Sequence, residues 1–223
     1  MVVVFHWMRF GITVSRVGHL MGWFRRGMAW AVCMALSHFA HADGLVVVCY
    51  NWSCKDRVTV VYTEPWLRKQ LQPLRHANTP EAEREAVAEM VRRFYVRAAE
   101  QTPIAADEPG NNEDLDVNGR MDCIDHSTTT RNILSFLQHR KLLRWHEVGP
   151  YAHRSLLVDS HYSATLIESG VESDAPLIYT LDPWEVEPGG LPEVVPVREW
   201  AGARFFTLET QHHTQKPLAG APR

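Results

Sequence analysis

The chain has 223 residues with a formal net charge of −3, and 45% of its residues are hydrophobic. This length and composition are typical of one globular domain with a packed core. Because the first 42 residues contain four arginines and no acidic side chain, the rest of the chain carries an acidic excess, which argues against a nucleic-acid partner.

The N-terminus has the pattern of an export signal. Two arginines at 25 and 26 precede an apolar run over 27–36, and small residues at 40 and 42 form a small-x-small cleavage site. The run is shorter than the roughly 20 residues of a membrane-spanning helix. We predict a signal peptide over 1–42 and an exported protein, periplasmic or secreted, with no stable membrane span after cleavage. An uncleaved N-terminal anchor is the alternative.

A β-hairpin with a disulfide is predicted next. Residues 45–49 and 57–62 are rich in β-branched side chains and flank a short loop. Cys49 and Cys54 lie at the two ends of this loop and can pair with each other. Without the signal the chain holds three cysteines, so this pairing leaves Cys123 as the free thiol. Three reduced cysteines are the alternative.

Two helices follow, separated by a polar loop. Residues 64–74 are ambiguous and can form a short helix. The pair Thr79-Pro80 has the residue types of a helix N-cap and first helical position, and apolar side chains recur at helical spacing until Pro103 ends the pattern. Residues 105–119 are polar and rich in Asn and Gly, which predicts a loop. A second helix is predicted over about 122–143.

The remainder of the chain alternates short apolar runs with Gly, Pro, Asp and Ser, a pattern typical of an antiparallel sheet. Together with the helices it predicts an α+β fold, with helices packed on an antiparallel sheet, in one domain over 43–210. A disordered tail is predicted over 211–223. The predicted strands lie near 144–149, 155–158, 162–168, 177–182 and 193–197.

Cys123 is the candidate nucleophile. It stands at the start of the second helix, where Asp122 and Asp125 have the residue types of an N-cap and of an acidic third position. In the first turn of a helix, free backbone N–H groups and the helix dipole favour the thiolate and can hold an oxyanion. The two neighbouring carboxylates oppose the thiolate, so a charged imidazole partner is required.

His161 and Asp182 are the candidate base and orienting carboxylate. His161 opens one predicted strand and Asp182 closes the next, so a turn between the strands brings both to the same end of the sheet. There the carboxylate would fix the imidazole tautomer. His126 is the rival base, because it lies three residues after Cys123 on the same helix surface. A side chain on the same helix has to bend back to the thiol, which favours His161.

These segments resemble the transglutaminase-like branch of the papain-like cysteine proteases, and within it the bacterial transglutaminase-like cysteine proteinases and their exported relatives. The resemblance covers about residues 118–185. It implies a transglutaminase-like, papain-like core, with the thiol on a helix packed against an antiparallel sheet, and acyl transfer at amide or ester bonds. By this resemblance Cys123 is the nucleophile, His161 the base and Asp182 the orienting group, and no cofactor is implied.

Two positions depart from the family pattern. Ile124 follows the cysteine where many members have an aromatic residue, and Tyr162-Ser163 follows the histidine where the family often has Ala-Trp. Asn118 is the candidate for a side-chain oxyanion donor. The predicted function is thiol-dependent acyl transfer or hydrolysis at amide bonds of a peptide, protein or cell-wall peptide. A non-catalytic exported binding domain is the alternative.

The sequence pattern of a calcium-binding loop overlaps the predicted site. The run from 114 to 125 fits the D-x-D-x-N-G pattern with oxygen-bearing side chains also at loop positions nine and twelve. Position twelve is Asp rather than the bidentate Glu of such loops, and no helical pattern precedes the run, which both count against calcium. The candidate ligands are Asp114, Asp116, Asn118, Asp122 and Asp125.

A zinc site is a further alternative. Its ligands would be Cys123, His126, His161 and Asp182, but the chain has no C-x-x-C or H-E-x-x-H spacing. No Gly-rich phosphate loop is present either, so nucleotide binding has no support.

Overall fold

Residues 43–110, 116–156, 159–170 and 175–212 are described in the computed structural model of the protein. Contacts between residues divide the chain after Ala42, and all described residues belong to the second unit. The predicted signal peptide and most of the predicted tail therefore lie outside the described residues.

Helices and antiparallel strands build the described part of the chain, which confirms the predicted α+β class. The helices are α1 (Glu64–Gln70), α2 (Gln72–His76), α3 (Pro80–Ala99), α4 (Cys123–His139) and α5 (Val197–Ala201), with a 3₁₀ turn at Pro103–Ala106. The strands are β1 (Gly44–Tyr50), β2 (Asp56–Tyr62), β3 (His146–Val148), β4 (Tyr151–Leu156), β5 (Asp159–Glu168), β6 (Ile178–Asp182), β7 (Glu193–Pro196) and β8 (Phe205–Glu209).

The strands form two sheets. β1 and β2 make the predicted hairpin and pair with each other along their whole length. The main sheet has the order β7-β6-β5-β4-β8, and β3 pairs with the last residues of β5. Every pair in both sheets is antiparallel. The long strand β5 is central, so its first residues lie beside both β4 and the end of β6.

The sequence explains why α3 begins where it does. The hydroxyl of Thr79 accepts a hydrogen bond from the backbone N–H of Ala82 at 3.1 Å, and Pro80 occupies the first turn. Val87, Met90 and other apolar residues at helical spacing are fully buried. They form the inner face of the helix, as predicted, and pack the main core.

The main sheet is covered on both faces. Phe94 of α3 and Leu134 of α4 form a core with Ala164 and Leu166 of β5. On the opposite face, α5 packs its Trp200 in a smaller cluster with residues of β4, β6 and β7. We call these the α4 face and the α5 face. Successive side chains of a strand alternate between the two faces, and this alternation positions the candidate site.

The C-terminal part differs from the prediction. The predicted strand 193–197 ends at Pro196, and the chain continues as the five-residue helix α5. β8, which was not predicted, pairs with β4. His212 is buried, with 2% of its surface exposed, and its Nε2 lies 2.9 Å from the hydroxyl of Ser127. The folded structure thus includes residues beyond the predicted domain end at 210.

One observation bears on membranes. No helix among the described residues is long and apolar enough to cross a bilayer.

Candidate active site

Cys123 is the first residue of α4, as the sequence predicts. Asp122 is the N-cap, and its carboxylate accepts a hydrogen bond from the backbone N–H of Asp125 at 2.9 Å. The carboxylate of Asp125 accepts in return from the N–H of Asp122 at 3.2 Å. These reciprocal bonds form a capping box, which fixes the helix start at the thiol.

The hairpin loop Asn51–Cys54 donates to the same two carboxylates. All four of its residues have positive φ, between 54° and 67°. The backbone N–H groups at positions 52 and 54 donate to Asp125 at 2.8 and 2.6 Å, and the N–H at position 53 donates to Asp122 at 2.9 Å. The loop therefore fastens the N-terminus of α4 to the β1–β2 hairpin.

The predicted disulfide between Cys49 and Cys54 is present and closes this loop. Cys123 is a free cysteine, as predicted. Asp125 is fully buried beside the bridge. Burial, followed by the charge of Asp122, raises the pKa of Asp125 to about 7, although the backbone N–H bonds it accepts favour its charged form.

The carboxylates of the calcium alternative are engaged elsewhere. Each carboxylate oxygen of Asp122 and Asp125 accepts at least one backbone N–H bond. Asn118 is exposed, and its side-chain oxygen accepts from the amide of Asn51 at 3.0 Å. Asp116 is exposed as well, and Asp114 lies outside the described residues. These contacts give a calcium site no support, and they do not identify Asn118 as an oxyanion donor.

Cys123 is partly exposed and lies beside the start of β5. The backbone N–H groups of Tyr162 and of Cys123 itself favour its thiolate, but burial, followed by the charges of Asp122 and Asp182, raises the pKa of Cys123 to about 12. The thiol is therefore protonated at neutral pH in this state.

His161 and Asp182 form a buried pair, as predicted. The His161 Nε2 lies 2.6 Å from an Asp182 carboxylate oxygen, and both residues are at most 5% exposed. The imidazole packs between the rings of Trp184 and Trp200, with ring centroids 4.6 and 5.7 Å away. The indole N–H of Trp200 donates to Asp182 at 2.8 Å, and the backbone N–H of Trp184 donates at 3.3 Å.

These contacts favour a charged Asp182. Burial raises the pKa of this carboxyl, but the charge and hydrogen bond of His161, together with the two tryptophan N–H groups, outweigh burial and hold the pKa below its usual range. Asp182 can thus stabilise a proton on the imidazole, which is the role of the third member of a triad.

The three predicted residues meet at one end of the sheet without forming a continuous chain of hydrogen bonds. Tyr162 lies on the α4 face, in a cluster that Cys123 contacts. His161, one residue earlier, points to the α5 face and packs on Trp200. The His161 Nδ1 is buried and has no hydrogen-bond partner among the described residues. The structure shows the imidazole–carboxylate pair, but no hydrogen bond joins the thiol of Cys123 to the imidazole.

The rival His126 belongs to a second pair. Its Nε2 lies 2.9 Å from an Asp107 carboxylate oxygen, and the ring stacks on Tyr95 with centroids 5.8 Å apart. The other oxygen of Asp107 accepts from the backbone N–H of Met121 at 2.6 Å. His126 thus ties the loop before α4 to the helix, and its Nδ1 also has no hydrogen-bond partner among the described residues.

The four residues of the zinc alternative do not form a metal-binding cluster. Within the part of the chain that the structure describes, the group of three cysteine, histidine or acidic side chains at metal-binding distances is Cys49, Cys54 and Asp125. Two of these are joined in the disulfide.

Sequence reasoning missed the two tryptophans and the backbone donor at the thiol. Trp184 directly follows the Asp-Pro that closes β6, and this adjacency was the available signal. Trp200 contacts Asp182 from α5, 18 residues further along the chain, and no local sequence pattern predicts such a contact. The Tyr162 N–H is a backbone group, so the residue type at this position does not predict its contact.

Comparison with known proteins identifies no relative. No protein-family profile, no curated protein and no solved structure matches this chain. The geometry of the site therefore carries the functional argument alone.

Proposed function

We propose that the protein catalyses thiol-dependent acyl transfer or hydrolysis at amide bonds of a peptide, protein or cell-wall peptide. The observation that carries this proposal is the buried His161–Asp182 pair, which lies at the same end of the sheet as Cys123. The His161 Nδ1 has no hydrogen-bond partner in the part of the chain that the structure describes. A histidine oriented by a carboxylate next to a thiol at a helix N-terminus is an arrangement for nucleophilic catalysis.

The proposed reaction begins from a neutral thiol. Nδ1 of His161 takes the thiol proton as the sulfur attacks the carbonyl carbon, and Asp182 stabilises the resulting imidazolium. The imidazolium then gives the proton to the leaving amine, and an acyl group remains on the sulfur. Water completes hydrolysis, or an acceptor amine completes transfer. The first backbone N–H groups of α4 are the proposed oxyanion donors.

Because the pKa of Cys123 is about 12, the thiol has to lose its proton after the substrate binds. A resting ion pair between thiolate and imidazolium is not formed in this state, so the proton has to move during attack. The sulfur then needs to come within hydrogen-bond reach of Nδ1, and such contacts tighten in substrate complexes.

The test is the rate at which Cys123 reacts with iodoacetamide between pH 5 and pH 10. Rates are measured on the full-length, oxidised protein by mass spectrometry of the peptide that contains Cys123. Because a thiol whose pKa is about 12 is protonated at pH 7, its alkylation there needs a base, and we expect the rate to fall at least tenfold in His161→Ala. His126→Ala is the matched control, since it removes a buried, carboxylate-paired imidazole next to the same thiol and should change the rate less than twofold.

The opposite result favours the second candidate, a non-catalytic binding domain. The raised pKa of Cys123 and the missing contact between thiol and imidazole are the observations behind it. It requires labelling that is negligible at pH 7, grows only in strong alkali and is the same in His161→Ala. A calcium-dependent rise in melting temperature would further support the calcium loop of that alternative.

We also propose that the protein works outside the cytoplasm, in the periplasm or as a secreted protein. The Cys49–Cys54 disulfide supports this location, because such bridges persist in oxidising compartments. Expression of the full chain in a bacterium tests it. We expect a periplasmic or secreted product whose N-terminus is Asp43, and an intact cytoplasmic product would contradict the proposal.

A further inference from the structure

A cavity of about 250 Å³ lies between α3, the loop before α4 and the segment 183–192. Val91 and Tyr95 of α3, Ile104 of the 3₁₀ turn and Met121 are among its apolar walls. Apolar atoms dominate its lining, and the polar groups at its wall include the His126–Asp107 pair. Apolar cavities with a few convergent polar groups are typical of binding sites for small ligands.

Several residues of the cavity wall are close in sequence to the candidate active-site residues. Its wall includes Met121, two residues before Cys123, and His126, three residues after it. It also includes Pro183, which directly follows Asp182. A group held in this cavity therefore contacts residues that flank Cys123 and Asp182 in the sequence, although neither of those two side chains lines the cavity.

The volume and the apolar lining of the cavity indicate which side chains it can bind. A dry apolar cavity of about 150 Å³ is sufficient to bind benzene, so this larger space accepts a phenyl ring or a branched aliphatic side chain. Burying such a side chain removes apolar surface from water and favours binding. Three charged side chains also lie at the wall: Arg92 pairs with Glu89, Asp107 pairs with His126, and Glu187 is exposed to solvent. A charged side chain in the cavity would therefore lose its hydration next to groups that are already paired or hydrated.

We propose that this cavity is a specificity pocket, which binds an apolar side chain of Phe or Leu size adjacent to the amide bond that Cys123 attacks. The inference rests on the proposed function for the identity of its ligand as part of a peptide substrate. It predicts that peptides with a bulky apolar residue next to the cleaved bond are preferred over those with Gly or an acidic residue.

A binding experiment tests the pocket without relying on catalysis. The probe is N-acetyl-4-fluorophenylalanine amide, observed by ¹⁹F NMR with the full-length Cys123→Ala protein. We expect saturable line broadening and a Kd at least tenfold higher in Ala105→Trp, because Ala105 lies at the exposed rim of the cavity and an indole there fills it. Ala106→Trp is the matched control, since Ala106 is exposed on the same 3₁₀ turn without lining the cavity, and its Kd should equal that of the parent.

Two results would overturn the pocket: no saturable binding, or the same Kd in Ala105→Trp as in Ala106→Trp. If Ala105→Trp does not fold, the methyl resonance of Met121 decides, because it must shift when the probe is added to the parent protein and must not shift with N-acetylglycine amide. Absence of probe binding with a reactive Cys123 would refute the pocket alone. Probe binding with an inert Cys123 would refute its assignment to a substrate.

Discussion

The two buried imidazole–carboxylate pairs, His161–Asp182 and His126–Asp107, look alike in isolation. In each, Nε2 contacts an aspartate oxygen at under 3 Å, and Nδ1 has no hydrogen-bond partner among the described residues. Their surroundings differ. His161 comes from a strand and lies between two tryptophans, whereas His126 comes from the thiol helix and stacks on Tyr95.

The comparison teaches that the pair itself does not identify a catalytic base. What differs is the number of donors that stabilise the carboxylate and the element that carries the imidazole. Asp182 accepts from two tryptophan N–H groups besides His161, while Asp107 accepts one backbone N–H besides His126. The first pair is built to stabilise charge, and the second joins a loop to a helix.

Removing the disulfide should have the largest effect, and it should disturb the His126–Asp107 pair but not the His161–Asp182 pair. In Cys49→Ser/Cys54→Ser, the loop that fastens the start of α4 is released, and the chain-entropy relation gives a loss of about 2 kcal/mol in the free energy of unfolding. Urea titration measures this loss. Imidazole NMR signals of His126, on α4, should shift, and those of His161, on β5, should stay. Equal shifts of both would show that the pairs are not independent.

Replacing each carboxylate by its amide tests which pair acts on the thiol. Asp182→Asn keeps the shape but removes the charge that stabilises the imidazolium, so the alkylation rate of Cys123 at pH 7 should fall about tenfold, or about 1.4 kcal/mol. Asp107→Asn should change that rate less than twofold. The reverse order of effects would transfer the role of base to His126.

The two tryptophans around His161 provide a finer test. Trp200→Phe removes the N–H that donates to Asp182 and should cost about 1 kcal/mol of unfolding free energy. Trp184→Phe is its control, because the Trp184 indole N–H is buried with no hydrogen-bond partner among the described residues. Its loss should be neutral or slightly stabilising in the same urea titration. Equal losses would mean that ring packing, rather than the hydrogen bond, holds the pair.

His212 shows what burial does to an imidazole that contacts a hydroxyl instead of a carboxylate. Burial lowers the pKa of His212 to about 4, below its usual 6.5, so the unfolded chain binds more protons between these values. The resulting stabilisation is present above pH 6.5 and is lost as pH falls towards 4, by about 1 kcal/mol between pH 7 and pH 5.5.

His212→Gln keeps a hydrogen-bonding group opposite Ser127 but does not titrate. Asp125, whose pKa is raised to about 7, changes the stability in the opposite direction over the same range. The difference in unfolding free energy between wild type and His212→Gln therefore isolates the histidine. A difference that does not change with pH would contradict the assignment.

The sequence predicts those features that depend on neighbouring residues. The hairpin and its disulfide, the Thr79 cap of α3 and the capping box at Cys123 all follow from residue types a few positions apart. The meeting of His161 with Asp182 also follows, because two consecutive antiparallel strands bring the start of the first strand beside the end of the second. These are local or nearest-neighbour rules, and one chain is enough to apply them.

The remaining features depend on contacts between distant segments. Three backbone N–H groups of the hairpin loop reach carboxylates more than 65 residues away, and backbone donors leave no trace in the residue types. The helix α5 is five residues long, too short for a periodic signal. The face on which His161 lies depends on the register of β5, and a shift of one residue would reverse it.

The left-handed loop at the tip of the hairpin has a consequence for protein engineering. Its amides provide three of the five backbone N–H bonds that Asp122 and Asp125 accept, so the thiol-bearing helix start depends on two separate segments of the chain. Grafting α4 into another scaffold would leave two acidic side chains crowded together without these donors. A graft that keeps this helix start intact has to include the oxidised hairpin together with the helix.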